Sequence, residues 1–212
     1  MQRLVAAYEE PQRRYHTLQH LNECVSFCDR NLHLAEKPGE VEMALWFHDA
    51  VYDVTGNENE AKSAAWAAES LASAGVAAEA IERVSGLIMA TCHAVLPEGR
   101  DQQVLVDVDL SILGAVRPRF IEYEAQVRAE YRWVPEPLFR QKRAEVLQQF
   151  LARGHIYSTP TIRKEFEEVA RGNLAYSLAL LGAHNSPEAD GPDGPQPRAK
   201  GSANQTPGNS RP

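Results

Sequence analysis

The amino-acid sequence predicts an all-helical fold. From residue 1 to about residue 185, apolar residues recur at steps of three and four, the spacing that places them on one face of an α-helix. No stretch shows the sustained alternation of apolar and polar residues that is typical of strands. Proline and glycine interrupt the pattern repeatedly, so we expect a series of helices joined by short connections.

The helix boundaries follow from capping residues. Thr17 can cap the first predicted helix, Pro38-Gly39 separates it from the second, and Gly75 ends the third. Thr159-Pro160, a capping residue followed by proline at the first helical position, starts the last helix. The predicted ranges are Thr17 to Leu32, Val41 to Tyr52, after Gly56-Asn57 to about Ala74, about Ala77 to His93, Val104 to Leu113, Pro118 to Trp133, Pro135 to about Arg153, and Pro160 to near Gly182.

The chain divides into one domain, residues 1–185, and a tail, residues 186–212. The tail is rich in proline and glycine and has no apolar residue larger than alanine. Such a segment cannot bury enough apolar area to offset the entropy of ordering, so we expect it to be disordered.

Composition restricts the class of protein. The apolar share of 43% supports a core without disulfides, and three cysteines, an odd number, indicate reduced thiols in a cytoplasmic protein. The net charge of −7 gives no reason to expect a nucleic-acid polymer or a membrane as partner. We see neither a signal-peptide pattern nor an apolar stretch of membrane-spanning length.

The most informative segment contains His48 and Asp49. Helical spacing directs His48 into the apolar stripe of its helix, and Asp49 is flanked at helical spacing by Leu45 and Tyr52. Burying a carboxylate is costly without a positive partner, and no lysine or arginine occurs from residue 40 to 61. A metal cation is the simplest compensation; the alternative is a core histidine with Asp49 facing solvent.

A second buried acid is predicted at Asp109. All of its neighbours at three and four residues' distance are apolar, whereas Asp107 has the polar Gln103 and Ser111 among its neighbours and is expected on a flank of the helix. We therefore expect Asp109 to face inward and Asp107 to cap or support, although Asp109 could instead cap a helix start.

A histidine pair, His16 and His20, precedes these elements. Residues at i and i+4 can share a metal if one helix carries both. The residues around His20 do not indicate burial. The alternative that both histidines are exposed to solvent and bind no metal is therefore retained.

Together these motifs resemble the HD superfamily of metal-dependent phosphohydrolases, and within it an uncharacterised bacterial group. The resemblance rests on an ordered set over residues 4–181: Tyr15-His16 to Leu21 (YHxLxHL), Phe47 to Asp53 (FHDxVYD), Asn59-Glu60-x-x-Ser63 (NExxS), and Asp107-Val-Asp-Leu110. It implies an HD-domain-like helical bundle in which His20, His48, Asp49 and Asp109 bind a divalent ion. This ligand set suits Mn, Fe, Co, Ni or Mg.

The resemblance also implies further site residues. Glu60 stands where related hydrolases keep an acid that orients water, although an acid there also suits the start of a helix. His93 is a second-metal ligand, a substrate contact or a core histidine. Tyr52 and Asp53 are candidates to support a metal ligand or contact substrate.

Three arginines have side chains that suit phosphate binding: Arg128, Arg143 and Arg171. Two of them could instead form ion pairs on a helix surface, Arg128 with Glu124 and Arg171 with Glu167. We expect one of the three arginines to face the site.

The expected activity is hydrolysis of a small phosphorylated substrate, a phosphomonoester or phosphoanhydride such as that of a nucleotide, by a metal-activated water. Two alternatives are a di-iron oxygenase, which needs more histidine ligands, and a nucleotide-binding module without turnover.

Overall fold

The computed structural model describes residues 2–93 and 95–183, and in these residues it contains helices and no strand. This confirms the predicted all-α fold. Two 3-10 segments, Leu32–Leu34 and Leu110–Gly114, accompany the α-helices. The α-helices of the described residues are α1 (Gln2–Tyr8), α2 (Leu18–Asn31), α3 (Pro38–Phe47), α4 (Asn59–Ser73), α5 (Ala78–Ala90), α6 (Arg100–Asp109), α7 (Arg117–Glu130), α8 (Glu136–Ala152) and α9 (Pro160–Ala183).

Several predicted boundaries are confirmed. The Thr17 side chain accepts a hydrogen bond from the Gln19 backbone N–H at 3.3 Å, so it caps α2. Gly75 follows α4 with φ of +75°, the left-handed conformation that glycine adopts most easily. Helix α9 begins at Pro160, as the proline predicted.

Other boundaries were wrong, and the differences lie where the site is built. Helix α3 ends at Phe47, so Tyr52 is outside it, and α5 ends at Ala90, so His93 belongs to the following loop. His93 has φ of +54°, a value that no α-helical residue takes. The helix predicted over 104–113 changes to 3-10 geometry after Asp109. Helix α1 was not predicted; it is short and buries only Leu4 and Tyr8.

One hydrophobic core extends through the described helices, and the part of it next to the site lies between α2, α3, α5 and α6. Helix α3 packs on α2, α5 and α6, and α4 and α5 pair closely. Val41, Leu45, Ile88, Leu105 and Val108 are fully buried there. This packing brings the C-terminal ends of α3 and α6 next to the N-terminal turn of α2.

No helix of the described residues is long and apolar enough to cross a membrane. The predicted tail, residues 186–212, lies outside the residues that the structure describes.

Two glycines allow the packing to be tested. A Cβ atom on Gly114 would lie 2.5 Å from Phe166 Cδ1 and 2.9 Å from Phe166 Cβ, whereas one on Gly86, inside α5, would meet no atom within 4 Å. We expect Gly114→Ala to lower the free energy of unfolding by about 1–3 kcal/mol through overpacking. Gly86→Ala should raise it by about 0.5–1 kcal/mol through helix propensity. Urea unfolding of both variants measures the difference; equal effects would contradict the packing of the 3-10 segment on α9.

Candidate metal centre

Four side chains meet where three helices end or begin. His20 lies in the first turn of α2, His48 and Asp49 directly follow α3, and Asp109 is the last residue of α6. His20 and His48 are buried, at 2% and 1% exposure, and the two carboxylates are more accessible. The site is therefore open on the side of the acids and closed on the side of the imidazoles.

The facing atoms of these residues are close together. His20 Nε2 and His48 Nε2 are 3.2 Å apart. Asp49 Oδ2 lies 3.4 Å from His20 Nε2 and 3.1 Å from His48 Nε2. Asp109 Oδ1 lies 3.3 Å and 3.6 Å from the same two nitrogens. The structure thus brings together all four residues that the family resemblance indicates.

The hydrogen bond on the far side of His48 decides what its Nε2 presents. His48 Nδ1 lies 2.7 Å from the Leu45 carbonyl oxygen, which can only accept, so Nδ1 carries the proton. In the neutral ring, Nε2 then carries a lone pair, which faces the carboxylate oxygens of Asp49 and Asp109. Such a cluster of acceptors is unfavourable unless a cation or an additional proton lies among them.

The geometry fits a divalent metal ion. Ligand atoms at about 2.0–2.2 Å from one ion stand about 3 Å apart when they are adjacent, near the 3.1–3.6 Å seen between the imidazole nitrogens and the carboxylate oxygens. Two neutral imidazoles and two carboxylates carry a charge that a divalent ion neutralises. His20, His48 and Asp109 in particular form a group whose ligand atoms all lie within 4.8 Å of one another.

The electrostatics agree with this interpretation. Burial opposes ionisation of Asp49 and Asp109, but the adjacent His48 charge and the histidine hydrogen bonds hold the pKa of both carboxyls well below the usual range. Burial likewise opposes a charge on His48, but Asp49 raises its pKa well above the ordinary value. Both acids therefore favour the ionised form, and a divalent ion bound here would compete with protons for the same positions.

Arg13 holds the backbone around the site through hydrogen bonds, a role that the sequence did not indicate. It is 2% exposed and donates to the carbonyl oxygens of Asp49 at 2.7 Å, Ala50 at 3.1 Å and His16 at 2.9 Å. It therefore joins the turn after α3 to the segment before α2. Arg13 bonds to the backbone of Asp49, so the Asp49 carboxylate remains available.

Glu130, at the end of α7, fixes the same segment. Its Oε1 accepts the backbone N–H groups of Arg14, Tyr15 and His16 at 2.8–3.0 Å. Its Oε2 lies 2.8 Å from His16 Nδ1 and accepts the Tyr52 hydroxyl at 2.8 Å. His16 thus precedes α2 and contacts Glu130, so the pair His16–His20 does not share one helix.

Asp107 was expected on a flank, and that placement was wrong because the side chain is fully buried. Its supporting role is confirmed. It accepts the backbone N–H groups of Ser158 at 2.8 Å and Thr159 at 2.6 Å, just before α9. Burial nevertheless raises the pKa of Asp107 to about 6. Asp109, and not Asp107, reaches the histidines.

His93 contacts the outer oxygen of Asp109. Its Nε2 lies 3.0 Å from Asp109 Oδ2, whereas Oδ1 of the same carboxylate faces His20 and His48. Its Nδ1 is buried without a hydrogen-bond partner among the described residues, and its φ of +54° is strained for a residue with a side chain. This contact makes His93 suited to orient Asp109.

We expect His93→Ala to weaken metal binding by roughly 10- to 100-fold, the effect typical of losing an outer hydrogen bond to a ligand. His93→Gln, which can still reach Asp109 with its amide, should lose less. Calorimetric titration with Mn²⁺ measures both affinities. Unchanged affinity with a raised KM would instead show a direct substrate contact, and loss of half the bound metal a second-metal ligand.

The three arginines differ in position. Arg128 pairs with Glu136 instead of Glu124 and bonds the carbonyls of the turn after α7. Arg171 pairs with Glu167, the alternative partner predicted, at 2.8 Å. Of the three, Arg143 lines a cavity that also contacts Asp109 and His93, whereas Arg128 and Arg171 do not line it.

A cavity of about 700 Å³ adjoins the candidate metal centre, with Asp109 and His93 in its lining. Arg143 reaches it from α8, where its guanidinium bonds Glu124 and the Tyr123 hydroxyl. Tyr15 also lines it, and the buried Tyr15 hydroxyl has no hydrogen-bond partner among the described residues. Sequence reasoning missed Tyr15 as a site residue, although it belongs to the YHxLxHL motif.

The structure shows no hydrogen bond or ion pair between the remaining candidates, Glu60, Tyr52 and Asp53, and the four central residues. Glu60 lies in the first turn of α4, and burial together with the Glu60 charge raises the pKa of the Cys92 thiol. Tyr52 stacks on His16 with ring centroids 4.1 Å apart. Asp53 is exposed and accepts hydrogen bonds from Thr55. A catalytic role for Glu60 stays a prediction.

Comparison with protein-family models, with curated proteins and with solved structures found no match for this chain.

Proposed function

We propose that this chain is a metal-dependent phosphohydrolase that cleaves a phosphomonoester or phosphoanhydride. The observation that carries the proposal is the convergence of His20, His48, Asp49 and Asp109 on one buried point beside a cavity. Two ionised acids and two imidazoles are ligands that suit Mn²⁺ and similar ions. The ordered motifs also resemble those of the HD superfamily of phosphohydrolases.

Each residue then has a defined task. A divalent ion bound here supplies Lewis acidity, which lowers the pKa of water and neutralises charge on a phosphoryl oxygen. Asp49 and Asp109 provide the negative charge that retains the ion, and His93 holds Asp109 in orientation. The Tyr15 hydroxyl, which has no hydrogen-bond partner among the described residues, can donate to a substrate oxygen. Arg143 lies in the cavity wall, where it pairs with Glu124. Glu60 is the candidate to accept a proton from water.

The di-iron alternative receives no support from the spare histidines. His16 Nδ1 is bonded to Glu130, and His93 Nε2 contacts the outer oxygen of Asp109. Neither arrangement presents a second set of converging ligands among the described residues. The alternative of a nucleotide-binding module predicts that substrates bind without turnover. An activity assay distinguishes such a module from an enzyme.

The proposal is tested by measuring metal content and phosphatase activity on the same preparation. The full chain is purified, analysed by metal mass spectrometry, and assayed with Mn²⁺, Co²⁺, Ni²⁺ and Mg²⁺ against p-nitrophenyl phosphate, nucleotides and sugar phosphates. We expect about one ion per chain and metal-dependent phosphate release. Two irons without phosphatase activity would favour an oxygenase, and binding of substrates without turnover would favour a binding module.

A further inference from the structure

The cavity beside the candidate metal centre is lined by both polar and apolar side chains. Asp109, His93 and Tyr15 are among the polar lining residues. Leu138 and Val146, on one face of α8, contribute apolar lining. The volume of about 700 Å³ is in the range of pockets that enclose a whole small molecule.

The apolar wall is unusually exposed for its residue types. Trp133 is 57% exposed, Leu138 47% and Val146 38%, and all three line this cavity. Phe139 and Phe150 complete the same wall from α8. A contiguous group of large exposed apolar side chains next to a candidate reaction centre is typical of a ligand-binding surface.

The charged groups of the wall are already engaged. The Arg143 guanidinium is bonded to Glu124 and Tyr123, and Lys142 pairs with Glu145 at 2.8 Å. A ligand with many hydroxyl or ring-nitrogen groups would therefore lose its hydrogen bonds to water on entering this part of the cavity without finding enough partners. An alkyl or aryl group would not have this cost.

We propose that the substrate is a phosphomonoester of an apolar alcohol, an alkyl or aryl phosphate, whose phosphate lies at the metal centre and whose organic group lies along α8. The inference rests on the proposed phosphohydrolase function. Hydrolysis breaks the P–O bond to the alcohol, water supplies the oxygen that joins phosphorus, and the departing alkoxide takes up a proton. The products are the alcohol and inorganic phosphate, and no co-reactant is needed.

The test measures binding and turnover across a series of chain lengths. With the Mn²⁺-loaded full chain, calorimetry gives the affinities of methyl-, butyl- and octylphosphonate, used below the concentrations at which they form micelles. We expect affinity to rise by roughly two- to fourfold for each methylene that becomes buried. We expect kcat/KM to rise in the same order for ethyl, butyl and octyl phosphate, with glycerol 3-phosphate below them.

A wall variant and a matched control locate the organic group. Leu138→Ser should weaken octylphosphonate binding severalfold and leave methylphosphonate binding unchanged. Ile121→Ser removes a side chain of similar exposure, 44%, that does not line the cavity, and should change neither. Octylphosphonate should also shift the fluorescence of Trp133 to shorter wavelength, a signal that Trp133→Phe removes.

The outcomes separate this inference from the function on which it rests. Equal binding of short and long phosphonates, or faster hydrolysis of glycerol 3-phosphate than of octyl phosphate, overturns the apolar substrate and leaves the phosphohydrolase intact. Absence of both metal binding and phosphate-ester hydrolysis overturns the function itself. A dimer that Leu138→Ser dissociates, without any dependence on chain length, would make this wall a subunit interface and overturn the inference.

Discussion

Replacing Asp49 by alanine is expected to abolish both metal retention and phosphatase turnover. Asp49 Oδ2 lies within 3.4 Å of both imidazole nitrogens, and its low pKa keeps it charged at neutral pH. Loss of even an outer partner of a metal ligand typically reduces affinity or activity by about 10- to 100-fold. Loss of a charged group at the centre should therefore cost at least roughly 100-fold in Mn²⁺ affinity.

Metal mass spectrometry after dialysis and phosphate release on one preparation measure this result. Asp49→Asn keeps the size of the side chain and separates loss of charge from loss of packing; it should also fail to retain metal. Asp29→Ala, which removes an exposed acid from the last turn of α2, is the control and should leave both values unchanged. Full activity of Asp49→Ala on a verified substrate would end the metal-hydrolase proposal.

The helical periodicity of the sequence located two of the residues that meet at the candidate site. His48 and Asp109 were predicted to face inward because their neighbours at helical spacing are apolar, and both meet at the centre. That argument uses only local spacing, so it works where one helix face determines burial. It did not identify His20, whose neighbours are mixed; the family resemblance did.

The errors in placing site residues arose at the ends of helices and from contacts with distant segments, more than from the assignment of helix faces. His93 was placed on a helix because the apolar period continues to it, yet the chain leaves helical geometry after Ala90. Asp107 appeared to be on a flank because its burial comes from residues 158 and 159, which are distant in sequence. Burial produced by a distant segment leaves no signal in local periodicity.

The supporting residues were missed for the same reason. Arg13 bonds the backbone of residues 49 and 50, and Glu130 bonds residues 14–16, more than one hundred positions away. From the sequence alone, Arg13 and Glu130 have the pattern of ordinary charged residues on the protein surface. Only the tertiary structure shows that each is buried at 2–3% exposure and holds the segment before α2 in place.

The Glu130 network gives the second large expected effect. Glu130→Gln should lower the free energy of unfolding by about 2–4 kcal/mol, because hydrogen bonds to a buried charged group contribute about 1.5–3 kcal/mol each and an amide cannot accept all of them. Burial raises the pKa of Glu130, but the His16 hydrogen bond and the backbone N–H groups outweigh it and lower the pKa to about 2. The folded state therefore prefers the ionised acid more strongly than the unfolded chain does.

The sign of the pH dependence follows from this lowered pKa. The stabilisation by Glu130 is fully present above pH 4.5, its ordinary pKa, and is lost as the pH falls through the folded value of about 2. The difference in unfolding free energy between wild type and Glu130→Gln should therefore be constant near neutrality and shrink below pH 4.5. Urea unfolding at several pH values measures it.

Glu122→Gln is the matched control on the same helix. Glu122 is 50% exposed and pairs with Arg119 across 3.5 Å, so its loss should change stability by less than about 1 kcal/mol. Because Tyr15 packs on His20 with ring centroids 4.6 Å apart, loosening residues 14–16 should also weaken Mn²⁺ binding in Glu130→Gln. A Glu130→Gln protein as stable as Glu122→Gln, or a difference independent of pH, would show that the buried charge does not hold this segment.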